Sequence, residues 1–235
     1  MGRVILSGAS KGMMVSGSYP KNFADATWAQ IIDACHTNKV PATWAVGNQK
    51  PMIIDGTAYI IDIIGKNHDD YADGSGKAPL TFQLHECYGE KKQMNSSNTN
   101  KGGWTSCAMR TTHLPAILAK MPTEVQSGIR EVNKLTLAGG GSTTINTTAD
   151  KLFPLSEIEV FGAIHYSYAG EGKQYEYYTA GGSKVKNYNG SAIGWWERSP
   201  KLGSVEDFCV VTNNGNTIYA GASSTAHGVS FGFCF

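Results

Sequence analysis

GWWERSPKLGSVEDFCVVTNNGNTIYAGASSTAHGVSFGFCF, residues 194–235, has apolar ends and a polar middle. At its start two adjacent tryptophans precede Glu197 and Arg198. At its end Val229, Phe231, Phe233 and Phe235 alternate with Ser230, Gly232 and Cys234, a period of two that predicts a strand with one apolar face. Between them, Phe208–Val211 and Thr217–Ala220 flank Asn213-Asn214-Gly215-Asn216, which predicts a hairpin. The WWERSP and GVSFGFCF segments are expected to be neighbouring central strands of one sheet. A segment of small polar residues held between rigid ends is where a contact surface can vary without unfolding the chain.

Working outward, Trp28, Ile31, Ile32 and Cys35 share one helical face, and Thr27 with Gln30 has capping-box spacing, so a helix is expected over about residues 25–37. Trp44–Gly47, Met52–Ile54 and Ala58–Ile64 read as strands, the last two joined by an Asp55-Gly56 turn. Leu80, Phe82 and Leu84 alternate with Thr81, Gln83 and His85, which predicts a strand with one wet face. Helical pieces are expected within about 105–127, a strand at 132–136, and short helical turns at 156–161 and 174–179. Residues 1–22, rich in Gly and Ser, read as an arm or linker, and 23–235 as one α+β domain.

Composition narrows the function. The 235 residues are 41% hydrophobic, enough for a core, and the 28 glycines point to short strands and many turns. A formal charge of +1 with no basic run gives no case for nucleic acid. No apolar run approaches the roughly 20 residues that span a bilayer, and no signal peptide is visible, so folding in a reducing cytoplasm without membrane insertion is expected. Five cysteines, at 35, 87, 107, 209 and 234, form neither a zinc pattern nor a disulfide framework, so most should be buried free thiols.

Few constellations carry chemistry. Asn67 to Gly76 gathers Asp69, Asp70 and Asp73 with His68 in a Gly-rich loop, an oxygen-rich set that suits an ordinary turn first and calcium second. Calcium is the one cofactor candidate. The six histidines have no metal-ligand spacing, and no Walker loop, GxSxG or CxxC occurs. Nothing in the motifs points to an enzyme. Glu197 and Arg198 read as a structural ion pair or a backbone-bonded arginine near the core. Tyr166, Tyr168, Tyr175, Tyr177 and Tyr178 make the preceding region aromatic, which suits a core or a recognition surface.

WWERSP, Phe208-Cys209 and the terminal GVSFGFCF, with IIGKNHDDYADGSGKAPLTFQ at 63–83, MNSSNTNKGGW at 94–104, SCAMR at 106–110 and LSEIEVFG at 155–162, carry a resemblance. The chain resembles C-type-lectin-fold proteins of bacteriophages and gut bacteria: tail-associated receptor-binding domains and the variable proteins of diversity-generating retroelements. That resemblance implies a small twisted mixed sheet flanked by helices and long loops, displaying the C-terminal segment as a ligand face. It implies host recognition, a virion or cell-surface location, and a cell-surface protein or glycan as partner, with a homo-oligomer or larger virion assembly around it. The fold is also similar to that of formylglycine-generating enzymes, whose oxidase chemistry is the alternative, beside a hydrolase using the His68–Asp70 loop. Against the oxidase, the terminal Gly232-Phe233-Cys234 departs from the usual GFR-type strand. A structural virion component is a further alternative.

Because residues 200–228 have little apolar periodicity beyond Phe208 and Val210–Val211, their side chains should face solvent or a partner. The expected contact set is Lys201, Leu202, Val205, Glu206, Asp207, Asn214, Thr217, Tyr219, Ser224, Thr225 and His227, with Tyr219 as anchor.

Overall fold

Thr27 and Gln30 start the first helix as their spacing predicts: each side chain accepts the other's backbone N–H. The structure, a computed structural model, describes residues 19–235. Helix α1 (Trp28–His36) buries Trp28, Ile31, Ala34 and Cys35. Most of the arm expected over residues 1–22 lies outside the described residues. Its last part lies on the fold, where the Tyr19 hydroxyl donates to Asp33 and its ring lies 6.1 Å from that of Trp44.

The strands in chain order are β1 (Gln49–Ile54), β2 (Thr57–Lys66), β3 (Leu80–Leu84), β4 (Val132–Leu137), β5 (Ile145–Asp150) and β6 (Lys186–Tyr188). They continue with β7 (Ser191–Ile193), β8 (Trp195–Pro200), β9 (Asp207–Val211), β10 (Thr217–Gly221) and β11 (Gly232–Cys234). Further helices are α2 (Gly103–Ser106), a π-helical turn (Met109–His113), α3 (Leu114–Leu118), α4 (Thr123–Gly128), α5 (Glu157–Phe161) and α6 (Glu176–Thr179). The architecture is mixed α/β, with several small antiparallel sheets and few helices.

Asp55 and Gly56 both take positive φ, +51° and +76°, as a two-residue hairpin turn requires, and join β1 to β2 in register. The first sheet runs β1-β2-β3-β11, the second β10-β9-β8, and β4-β5 and β6-β7 are separate ribbons. All their strand pairs are antiparallel, in place of the mixed sheet expected. Phe82 on β3 stacks with Phe233 at 5.3 Å, and Trp28 meets Phe82 edge-on at 6.3 Å. That aromatic layer joins helix α1 to the end of the chain.

Three local expectations are corrected. Trp44–Gly47 is a turn: Gly47 sits at φ +87°, the Asn48 side chain accepts the Ala45 N–H, and the Trp44 indole donates to the Pro20 carbonyl. β3 has no wet face, because Thr81 and Gln83 are buried and bonded to Asp69, Ser230 and Tyr178. WWERSP and the terminal strand belong to different sheets, linked by a parallel bridge between Trp195 and Gly228. β11 nonetheless is not an open edge: Arg130 bridges Cys234 and Phe153 bridges Gly232 on its far side. Short pairings of this kind are fixed by which buried backbone groups need partners, and period two alone does not specify them.

Candidate functional site

Successive side chains of a strand leave opposite faces, so the neighbours Glu197 and Arg198 on β8 do not meet. Arg198 is the backbone-bonded core arginine of the two readings. Its guanidinium forks onto Glu159, 2.5 and 2.9 Å, and donates also to the Thr136 hydroxyl and the carbonyls of Pro154, Leu135 and Glu171. Lys134 extends the row, 2.7 Å from Glu159 and 2.7 Å from Asp69, with the Tyr175 hydroxyl at 3.1 Å. The result is a buried chain of alternating charge, Arg198–Glu159–Lys134–Asp69, in which every ion has an opposite neighbour on hand. Burial pushes the Asp69 carboxyl up, and the Lys134 and His68 charges with the Thr81 hydrogen bond more than offset it, holding it at about 2.

A cleft of about 270 Å³ opens beside this row, lined by His68, Asp70, Lys77, Asn133 and Lys173 among others. His68 stacks on Tyr175 at 3.9 Å, and its ligand nitrogen lies within 4.8 Å of carboxylate oxygens of Asp69 and Glu159, a spacing fit for a metal ion. The Lys134 ammonium, in contact with both carboxylates, already supplies the cation there. Asp69, Asp70 and Asp73, the expected calcium set, do not converge. Asp70 pairs with Lys77 at 2.7 Å, and Asp73 turns to Arg130 and the Ser75 N–H. The five cysteines are all buried free thiols, and burial pushes Cys35, Cys87 and Cys107 up to about 12.

Glu171 borders the same row. Burial pushes its carboxyl up to about 7, against the Leu137 N–H and the Ser199 hydroxyl that hydrogen-bond to it. A carboxyl raised above its unfolded value stabilises the fold fully below about pH 4.3, and that contribution is lost as pH rises through about 7. Asp69, depressed to about 2, has the opposite sign: its contribution holds above the ordinary carboxylate range and is lost as pH falls through its folded value. The expected result is that wild type gains roughly 2–3 kcal/mol between about pH 8 and pH 5 relative to Glu171→Gln. Urea titrations of both proteins across that window check it; parallel stability curves would refute it.

The C-terminal face rests on a second buried acid. Ser156 caps α5 and Glu159 completes the capping box, which leaves Glu157 pointing into the loop that follows. Its carboxylate accepts the N–H groups of His165, Tyr166 and Ser167 and the hydroxyls of Ser167 and Thr217. Burial alone would raise the Glu157 carboxyl, yet those donors hold it below its ordinary value. One buried carboxylate thus ties the 165–167 loop to strand β10.

On that base Tyr166 and Tyr219 meet edge to face at 5.0 Å, Lys201 lies over the Tyr219 ring at 4.1 Å, and the Leu202 N–H donates to the Tyr166 carbonyl. Leu202, Val205, Ile218 and Tyr219 are exposed by 39, 56, 44 and 39%, while β8 is wholly buried and β9 nearly so. Of the expected contact set, Lys201, Leu202, Thr217 and Tyr219 gather here. Val205, Glu206, Asn214 and Thr225 are also exposed, Glu206 accepting from Asn98 and Asn214 bonding Thr212 within the hairpin turn. Asp207 accepts from the Ser204 hydroxyl and lies 4.0 Å from Lys201. Ser224 caps the Ala226 N–H, and His227 is turned inward, its ring 4.8 Å from that of Trp196 and its pKa lowered by burial. Sequence reasoning left Tyr166 open between core and recognition surface and missed Ile218 and the supporting Glu157; the Ser156–Glu159 capping-box spacing is the signal that would have found the last.

The model of the family described as "Domain of unknown function (DUF6273)" matches residues 69–234. No curated protein and no solved structure matches the chain.

Proposed function

Since the chain belongs to the DUF6273 family, whose description assigns no activity, its function is argued from its own surface, and we propose that it is a recognition module of C-type-lectin fold. The single observation that carries this reading is the contrast between a wholly buried β8 and the exposed apolar side chains of Leu202 and Tyr219, which gather with Tyr166 and Lys201. Exposed apolar groups gathered on a stiff support mark interaction surfaces. Glu157 and the Arg198 row keep that support rigid without drawing on the exposed residues. The partner is a protein or glycan of a cell surface, and the chain is carried on a virion or a cell surface, as phage receptor-binding or retroelement-diversified proteins are. No described helix is long and apolar enough to cross a membrane.

The test is a binding screen against bacterial surface proteins and glycans with wild type and a Leu202→Ala/Val205→Ala/Tyr219→Ala variant. Surface changes of this kind shift stability by about 0.5 kcal/mol each, so the variant should melt close to wild type. Loss of binding at least about tenfold, with the fold intact, is expected. Unchanged binding would move the site, with the cleft beside His68 and Lys173 as the next place to look.

A further inference from the structure

Strand β10 is the outer strand of its sheet, and its hydrogen-bonding register shows which backbone groups look outward. The Thr212 N–H donates to the Asn216 carbonyl and the Ala222 N–H to the Glu206 carbonyl, in line with pairing of Ile218 to Val210 and Ala220 to Phe208. Alternation along an antiparallel ladder then turns the N–H and C=O groups of Thr217 and Tyr219 away from β9. Among the described residues these four groups have no hydrogen-bond partner. The open run stops at Gly221, whose carbonyl accepts the Ser224 N–H.

Two other outer strands of this fold are blunted. β1 carries Lys50 and Pro51, and the Pro51 carbonyl accepts the Trp28 indole; β11 is bridged by Arg130 and Phe153. β10, Thr-Ile-Tyr-Ala-Gly, has no proline and no charge, and is rich in residues that favour strands. Natural sheets avoid leaving such an edge bare because it is a template for another strand.

We propose that β10 takes up an extended, uncharged segment of a partner protein as a fourth strand, through the N–H and C=O groups of Thr217 and Tyr219. This rests on the recognition reading above and names its partner class. An added strand would lay alternate side chains beside Tyr219 on one face and Ile218 on the other, covering apolar surface that is now exposed. A sugar fits less well, because the Tyr219 ring is engaged by Lys201 and Tyr166 and is not free to stack. A second copy fits less well too. Two-fold pairing centred on Tyr219 would bring two Lys201 ammoniums, each 4.1 Å from its own tyrosine ring, onto one face of adjacent strands. Like charges across adjacent strands repel.

The probe is a displayed library of short random linear peptides, selected on the wild-type protein. Peptides so selected are then measured on Tyr219→Ala and Tyr219→Pro, and each is scanned by N-methylation of successive residues. Proline removes the outward N–H while leaving the ladder to β9 intact, since residue 219 does not bond across it. Tyr219→Pro should weaken binding about tenfold or more beyond the loss in Tyr219→Ala. N-methylation should abolish binding at alternate peptide positions, a pattern that side-chain contact cannot produce. The scan reads the wild-type protein, so it decides the matter even if the proline variant does not fold. Failure to select any peptide, or a scan without alternation, overturns the proposal. So does a concentration-dependent dimer dissolved by Tyr219→Pro, which would install a second copy on the edge. Binding to cell-surface proteins or glycans that the triple alanine variant loses and Tyr219→Pro keeps would leave the recognition reading standing and remove strand addition alone.

Discussion

Arg198→Ala is expected to cost roughly 3–5 kcal/mol, as breaking a buried pair by removing one partner does. A domain of this kind holds only about 5–15 kcal/mol in total, so the variant should be marginally folded. The loss has two parts. Glu159 keeps Lys134 as its only cation among the described residues, with one oxygen no longer forked, and the carbonyls of Pro154, Leu135 and Glu171 lose a buried donor together. Arg198→Lys should recover only part of it, because an ammonium cannot reach the two Glu159 oxygens and three carbonyls at once. The adjacent residue gives the control of opposite sign. Burial, and then the nearby Glu157 and Glu171 charges, push the Glu197 carboxyl well above its ordinary range, and neither of its oxygens has a partner among the described residues. Glu197→Met, of similar length, should gain about 1–2 kcal/mol by removing a buried unpaired polar group. Chemical denaturation of the three variants beside wild type checks the set; an Arg198→Ala loss below about 1 kcal/mol would contradict the account of the row.

Glu157→Ala is expected to cost a comparable amount, on the order of 3–5 kcal/mol, for a different reason. It deletes one acceptor that serves three backbone N–H groups and two hydroxyls, all of which then lie in the protein unpaired. The damage should concentrate in the 165–167 loop and at Thr217, so amide exchange there should rise more than at β3 or β11. Glu157→Gln keeps one acceptor oxygen but puts an amide among donors, and should fall between wild type and alanine. Because the folded Glu157 carboxyl is held below its unfolded value, this stabilisation is full above the ordinary carboxylate range and disappears as pH falls through its folded value. The difference between wild type and Glu157→Ala should therefore shrink in acid. A difference independent of pH would show that the anchor is not a carboxylate. Since the same side chain supports Tyr166 and Thr217, the alanine variant should also weaken binding at the exposed face while touching none of its exposed groups.

Local chemistry in the sequence determined the elements whose instructions lie within a few residues. The capping box of Thr27 and Gln30, the positive-φ turn at Asp55-Gly56 and the hairpin around Asn213–Asn216 are complete statements in themselves. The exposure of Leu202, Val205 and Tyr219 also follows from a stretch with too little apolar periodicity to bury itself. Tertiary structure decided the rest, because a polar side chain is equally at home in water or against a buried partner. Thr81 and Gln83 look like a wet face until Asp69, Ser230 and Tyr178 are brought to them. Glu157 and Glu159 look like the polar face of a short helix, yet one anchors a loop and the other holds Arg198 from a strand 39 residues away in sequence. Asp69, Asp70 and Asp73 look like one cation site, and go instead to Lys134, Lys77 and Arg130. Charge pairing is long-range in sequence and short-range in space, so only the packed chain could choose the partners.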